Sequence, residues 1–262
     1  MSVNETYKYL CEMLLGYSKK VGNTLELENV SFTIDASENN IVSCRNISLP
    51  YLFAEMTWYL AGSQSARFIS NFASLWERIS DDGITSNSAY GHIMFTRHGF
   101  NQIDKVIELL QGDPASRRAV ININVPNAKV IETKDEPCTI CLQFLIRDGK
   151  LNCTGIMRSN DIWFGLPYDI TFFTEVQRHV ASELGVEVGT YTHFATSLHV
   201  YDKDVEKLKD VIVNKDYKEI NVDFSKLWMY ASDIYEVVED SDNPKEEIMN
   251  QFEKYGIYKW NI

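Results

Sequence analysis

Positive charge is scarce in this chain: 25 Lys and Arg stand against 37 Asp and Glu, giving a formal net charge of −12. Long nucleic acid is held by basic patches, so such a surface should repel it. A mononucleotide differs, because one local cluster of Arg can hold a phosphate inside an acidic protein. Long apolar runs are missing as well; none is long enough to span a bilayer. The opening residues, Met1-Ser2-Val3-Asn4-Glu5, lack the basic region and apolar run of a signal peptide. A cytoplasmic protein is therefore the expectation, with no membrane and no long nucleic acid as partners. Cysteines are few and odd in number, Cys11, Cys44, Cys138, Cys141 and Cys153. Without a secretion signal, that argues for reduced thiols. There is no internal repeat, no low-complexity segment and no Pro/Gly/Ser-rich linker.

What is present is enough to build a core. Hydrophobic residues make up 45% of 262, too many for disorder, and a single domain over 1–262 is the natural expectation. Residues 2–20 read as an amphipathic helix and 24–34 alternate in part, like a strand. Pro50 opens a helix that stops near Gly62, and 102–111 form another. Residues 119–125 read as a strand. Residues 140–147 and 150–157 flank Asp148-Gly149, a two-residue hairpin signal. Residues 171–184 suit a buried helix, 190–201 look extended and 202–213 helical. The acidic stretch from Glu236 to Glu247 reads as a solvated loop and the start of a terminal helix. Strands and helices mix without regular βαβ alternation, so the class is α+β.

Cys138-Thr139-Ile140-Cys141 spells a C-x-x-C, which could be half a zinc site or a redox pair. Nothing else in the sequence supports either. No second C-x-x-C exists, the His are scattered, and positions 138 and 141 of a strand point to opposite faces. No metal is expected. An isolated cysteine of this kind is usually a core residue.

The surroundings of Cys138 are not ordinary. Pro137-Cys138-Thr139 precedes Arg158-Ser159-Asn160-Asp161-Ile162-Trp163-Phe164-Gly165-Leu166-Pro167-Tyr168-Asp169. Upstream lie Phe53-Ala54-Glu55-Met56-Thr57-Trp58-Tyr59-Leu60-Ala61-Gly62, Leu75-Trp76-Glu77, Tyr90-Gly91 and Asp113-Pro114-Ala115-Ser116-Arg117-Arg118; downstream lies His199-Val200-Tyr201. In this order they resemble the thymidylate synthase family over 22–205. The resemblance implies a mixed sheet flanked by helices, with one sheet face packed in a homodimer. It implies two ligands, a pyrimidine mononucleotide and 5,10-methylenetetrahydrofolate.

It also implies roles. Cys138 is the nucleophile: a thiolate added to carbon 6 of the pyrimidine breaks the ring conjugation and makes carbon 5 enolate-like. Arg158 is the cation expected to favour that thiolate. Glu55 is the general acid/base, and a carboxylate so deep in an apolar run needs a purpose. Tyr90 places a proton-transfer water. Arg117 and Arg118 reach across the dimer to the nucleotide phosphate, joined by Arg158 and Ser159. His199 and Tyr201 hold the sugar, while Trp76, Asp161 and Gly165 face the folate.

Three positions depart from the synthase pattern. Asp169 stands where the family has the Asn that reads uracil. A carboxylate offers acceptors, matching the amino group of cytosine and its protonated ring nitrogen, and a buried polar mismatch can discriminate by roughly 10⁴ or more. Thr139 replaces a His, and Met157 replaces a Gln. All three changes resemble the deoxycytidylate hydroxymethylases known from bacteriophages. The C-terminal Tyr255-Gly256-Ile257-Tyr258-Lys259-Trp260-Asn261-Ile262 does not resemble the synthase tail that closes over the folate. A site that closes less tightly admits water, which would give 5-hydroxymethyl-dCMP and tetrahydrofolate. The expectation is thus a dCMP hydroxymethylase. The rivals are a dCMP methyltransferase or thymidylate synthase using hydride, a CMP hydroxymethylase, and a catalytically dead nucleotide-binding paralogue.

Overall fold

The structure is a computed structural model that describes residues 1–124 and 132–259. In chain order its elements are α1 (Val3–Tyr17), β1 (Lys19–Val21), β2 (Thr24–Asp35), α2 (Leu49–Leu60), α3 (Ala66–Ser70), α4 (Leu75–Ile79), α5 (Tyr90–Phe95), α6 (Gln102–Gly112) and β3 (Val120–Asn122). There follow β4 (Thr139–Arg147), β5 (Lys150–Met157), β6 (Asn160–Asp161), α7 (Leu166–Leu184), β7 (Glu187–Tyr201), α8 (Val205–Val213), α9 (Leu227–Glu239) and α10 (Pro244–Lys254). The chain divides into two compact units. The first comprises Met1–Ile47, Asp104–Asn122 and Cys138–Ile220, and the second Ser48–Ile103, Ile123–Pro137 and Asn221–Ile262.

The first unit holds the sheet. Its strand order is β1-β2-β7-β5-β4-β3, with β6 paired to β7 off that path. β5 and β6 run parallel to β7 and the other pairings are antiparallel, so the sheet is mixed. The β4–β5 hairpin closes through Asp148 at φ 52° and Gly149 at φ 76°, the left-handed pair that a two-residue turn requires. Helix α7 lies against β5 and β7. Gln177, in mid-helix, donates to the carbonyls of Leu151 at 2.7 Å and Thr190 at 3.1 Å, tying the helix to both strands. Phe172, Phe173, Phe144 and Tyr191 are buried in this core. α1 opens on a capping box between Ser2 and Glu5.

The second unit is helical. α2 packs with α9, α10, α3 and α5. Phe53 stacks on Phe252 with ring centroids 4.0 Å apart, and Trp58 is fully buried. Gly91 lets α5 approach α2 closely, since a Cβ there would fall 1.7 Å from the Tyr59 carbonyl oxygen.

The α+β class and the mixed sheet agree with the sequence reading. Several boundaries move. α1 stops at Tyr17 because Lys19 already pairs with Glu26 in the sheet. The strand expected over 119–125 is observed at Val120–Asn122, and Val125 lies outside the described residues. Glu236 to Glu239 are not loop but the last turn of α9. α7 begins at Leu166, five residues before the expected 171, because Pro167 sits in its first turn, where the ring's fixed φ suits a helix start. That shift puts Asp169 in the first turn of a 19-residue helix. Trp260 to Ile262, the last part of the tail that departs from the family, fall outside the described residues.

Candidate active site

Cys138 sits just before β4 and Arg158 just after β5, so the hairpin pairing brings them together. The Arg158 amide donates to the Cys138 carbonyl at 2.9 Å, and its guanidinium Nη2 lies 3.8 Å from Cys138 Sγ. A thiolate needs its counter-charge there. Burial pushes Cys11, Cys141 and Cys153 up, and Cys44 up to about 11. None of the five cysteines is in a disulfide. A β-bulge between Thr139 and Cys141 breaks the strict alternation expected across the C-x-x-C. Among the described residues no group of three or more His, Cys, Asp or Glu could hold a metal ion. Thr139 and Met157, two of the departures from the family, touch each other: the buried Thr139 hydroxyl donates to Met157 Sδ at 3.0 Å.

Asp169 is half-buried at the start of α7. Desolvation pushes its carboxyl up to about 7, the Asp161 charge adds to this, and a hydrogen bond from Asn160 opposes it. That bond runs from Asn160 Nδ2 to Asp169 Oδ2 at 2.8 Å. Asn160 is buried, and its Oδ1 lies 3.1 Å from His193 Nε2. His193 Nδ1 lies 2.9 Å from the Tyr191 hydroxyl. Burial alone takes His193 down to about 3, so its ring is neutral.

Asp161 belongs to β6 and is the register partner of His199 on β7. Its Oδ1 accepts from the amides of Trp163 at 2.8 Å and Phe164 at 3.3 Å, which shapes the loop into Gly165. Desolvation raises its pKa. His199 and Tyr201 stand edge to face, 5.4 Å apart. Burial, then the charges of Asp161 and Cys138, push the Tyr201 phenol up. Ser159 is half-buried. Gly165 caps α7, and a Cβ there would come within 3.0 Å of Asn160 Nδ2. Arg117 and Arg118 are exposed. Arg118 lies 3.9 Å from Asp113, an exposed pair of little energetic weight.

The second unit carries Glu55, Trp76 and Tyr90. Glu55 is buried on α2, and the Tyr51 hydroxyl, one turn earlier, donates to its Oε1 at 2.5 Å. Trp76 Nε1 donates to that same hydroxyl at 3.1 Å. The expected acid/base and the expected folate-facing Trp are therefore joined through Tyr51. Tyr90 is buried and stacked on Tyr59 at 5.2 Å.

Sequence reasoning passed over Tyr51, Asn160, Tyr191, His193 and Arg45. The i,i+4 spacing of Tyr51 and Glu55 was a usable signal; the others find their partners only through tertiary packing. Arg45 is buried, its guanidinium 4.3 Å from the Trp163 ring and 5.5 Å from that of Tyr168. Its Nε and Nη1 have no hydrogen-bond partner among the described residues. A buried cation with open donors suits an anionic ligand group.

Comparison with known proteins follows the same lines. The thymidylate synthase family matches residues 16–243. A deoxyuridylate hydroxymethyltransferase of Bacillus phage SP01 is 32% identical over 204 residues, 70% of this chain. The match spans only 53% of that relative's length. A thymidylate synthase of Francisella philomiragia is 26% identical over 185 residues, 65% of this chain and 68% of its own. The solved thermostable thymidylate synthase A of Bacillus subtilis superposes with a TM-score of 0.70 at 20% identity, covering 85% of this chain and 88% of that one, a likeness of fold. With nearly the whole chain matched, from the end of α1 past the end of α9, the protein belongs to the thymidylate synthase family.

Proposed function

We propose that this protein transfers a hydroxymethyl group to carbon 5 of deoxycytidylate, with 5,10-methylenetetrahydrofolate as the one-carbon donor. The observation that carries the substrate is Asp169, a carboxyl at the base-reading position whose Oδ2 is already engaged as an acceptor by Asn160. The folate supplies a methylene group at the oxidation level of formaldehyde. Arg45, with its open donors, suits the folate's carboxylates, and Asp161, whose Oδ1 holds the loop into Gly165, faces the pterin. Trp76 and Gly165 complete the folate contacts.

The chemistry follows from the residues. Cys138 forms a bond from Sγ to carbon 6 while Arg158 stands by as counter-charge, and electron density moves to carbon 5. Carbon 5 forms a bond to the methylene carbon as that carbon's bond to one folate nitrogen breaks; carbon 5 then loses its proton and the bond to the second nitrogen breaks, releasing tetrahydrofolate and leaving a methylene on the ring. Water adds to the resulting exocyclic methylene, its spare proton passing through Glu55, and the carbon 6–sulfur bond breaks to free Cys138. The products are 5-hydroxymethyl-dCMP and tetrahydrofolate. Tyr51 holds Glu55 in one rotamer, and Tyr90 positions water. Arg117 and Arg118 from a second copy, with Arg158 and Ser159, hold the phosphate, and His199 and Tyr201 hold the sugar.

One observation favours a second reading, transfer to deoxyuridylate with either water or hydride completing the reaction. The phage relative is named for deoxyuridylate. The test is one incubation of the protein with methylenetetrahydrofolate and an equal mixture of dCMP, dUMP and CMP. Nucleotide products are read by mass and dihydrofolate by absorbance. Hydroxymethyl-dCMP without dihydrofolate is the expected result. A modified uracil, or a methylated base with matching dihydrofolate, would overturn the proposal in favour of a rival.

A further inference from the structure

A neutral carboxyl is an ambiguous reader of pyrimidines. With its proton on one oxygen it donates to ring nitrogen 3 of cytosine and accepts from the amino group. With the proton moved to the other oxygen it donates to the carbonyl of uracil and accepts from the ring N–H. Asp169, pushed up to about 7, carries a proton for much of the time near neutrality. Its identity alone therefore does not choose the base.

The chain of groups behind it does. Asn160 Nδ2 donates to Oδ2 at 2.8 Å, and an oxygen already accepting is a poor place for the acid proton. The amide cannot turn over without loss, because its Oδ1 faces His193 Nε2 at 3.1 Å. His193 is neutral and has one N–H; with Nε2–H directed at Asn160, Nδ1 accepts from the Tyr191 hydroxyl at 2.9 Å. Phe32 stacks on the imidazole at 5.1 Å and 16°. Two glycines leave space for the chain. A Cβ on Gly155 would fall 2.5 Å from the Tyr191 hydroxyl, and one on Gly165 would lie 3.0 Å from Asn160 Nδ2 and 3.2 Å from Asp169 Oδ2.

We propose that Asn160, oriented by His193 and Tyr191, is a positioning residue that keeps Asp169 Oδ2 an acceptor for an exocyclic amino group and confines the proton to Oδ1, facing ring nitrogen 3. The inference rests on the reading of Asp169 as the group that meets the base.

The test is calorimetric binding of dCMP and of dUMP to the full chain, without folate. Wild type should prefer dCMP. Asn160→Ala should narrow that preference by about 10- to 100-fold, the size expected when a buried polar pairing is lost. Part of the change should be a gain in dUMP affinity, which a loosened fold would not produce. His193→Phe keeps a ring against Phe32 but removes the donor, and should act in the same direction. His193→Gln, whose amide can donate, should restore part of the preference. Should Asn160→Ala not fold, the His193 pair carries the comparison. An unchanged dCMP-to-dUMP ratio in both Asn160→Ala and His193→Phe, or equal losses for the two nucleotides, would overturn the inference while leaving the reading of Asp169 intact. A wild type that does not prefer dCMP overturns that reading first, before any variant is made, and the inference with it.

Discussion

Burying a carboxyl at Asp169 has a price that depends on pH. Its folded-state pKa, about 7, lies above the roughly 3.9 of an unfolded Asp. Between these values the folded protein holds a proton that the unfolded chain has lost. Stability therefore falls as pH rises through that window, by a total on the order of a few kcal/mol. Asp169→Asn should flatten the decline between pH 4 and 7 and stabilise the protein at pH 8, measured by urea unfolding across pH. An unaltered slope would place the titrating group elsewhere. The same variant should move nucleotide preference from dCMP towards dUMP. At Cys138 the expected outcome differs: Cys138→Ala abolishes turnover and leaves dCMP affinity within a few-fold, because the thiol forms its bond only after the nucleotide is seated. Retained turnover would end the covalent mechanism. Residue types were legible at this scale. Cys138, Arg158 and Asp169 are recognisable in the linear sequence, whereas the Asn160–His193–Tyr191 chain is not, since its members come from three separated positions on β6 and β7.

Among the elements, two glycines set how closely backbone can approach. Gly91 was legible only as half of a Tyr-Gly motif; the packing of α5 on α2 shows why nothing larger fits. No rotamer relieves a Cβ at 1.7 Å from a carbonyl, so Gly91→Ala should give little soluble protein, or a melting temperature far below wild type. Gly155→Ala on β5 is milder, because it meets the far end of the Tyr191 side chain. It should destabilise by about 1–3 kcal/mol, and Tyr191→Phe should recover part of that loss in a double-mutant cycle. The start of α7 shows why boundaries resist reading. Gly165-Leu166-Pro167 has the composition of a turn, but here the proline begins the helix, and the carboxyl that follows enters its first turn.

For the whole molecule, the excess of acid makes a phosphate site dependent on a few local guanidiniums. Arg117 and Arg118 are exposed within their own unit, as side chains offered to a second copy would be. If each copy completes the other's site, mixing inactive Cys138→Ala with inactive Arg118→Ala under exchange conditions should restore activity, through mixed dimers holding one intact site. No recovery, together with a monomer by sedimentation equilibrium, would remove the shared site from the proposal.

The sequence by itself determined the family, the mixed α+β class, the hairpin at Asp148-Gly149 and the residue types of the proposed reacting centre. Those features rest on local patterning and on short motifs whose spacing survives in one dimension. Only the tertiary structure decided what surrounds each group: the guanidinium 3.8 Å from Cys138, the Tyr51 hydroxyl shared by Glu55 and Trp76, and the hydrogen-bonded chain behind Asp169. Burial and hydrogen-bond partners depend on which distant strands become neighbours. They set whether a carboxyl is charged and which of its oxygens accepts, and the order of residues along the chain does not record that.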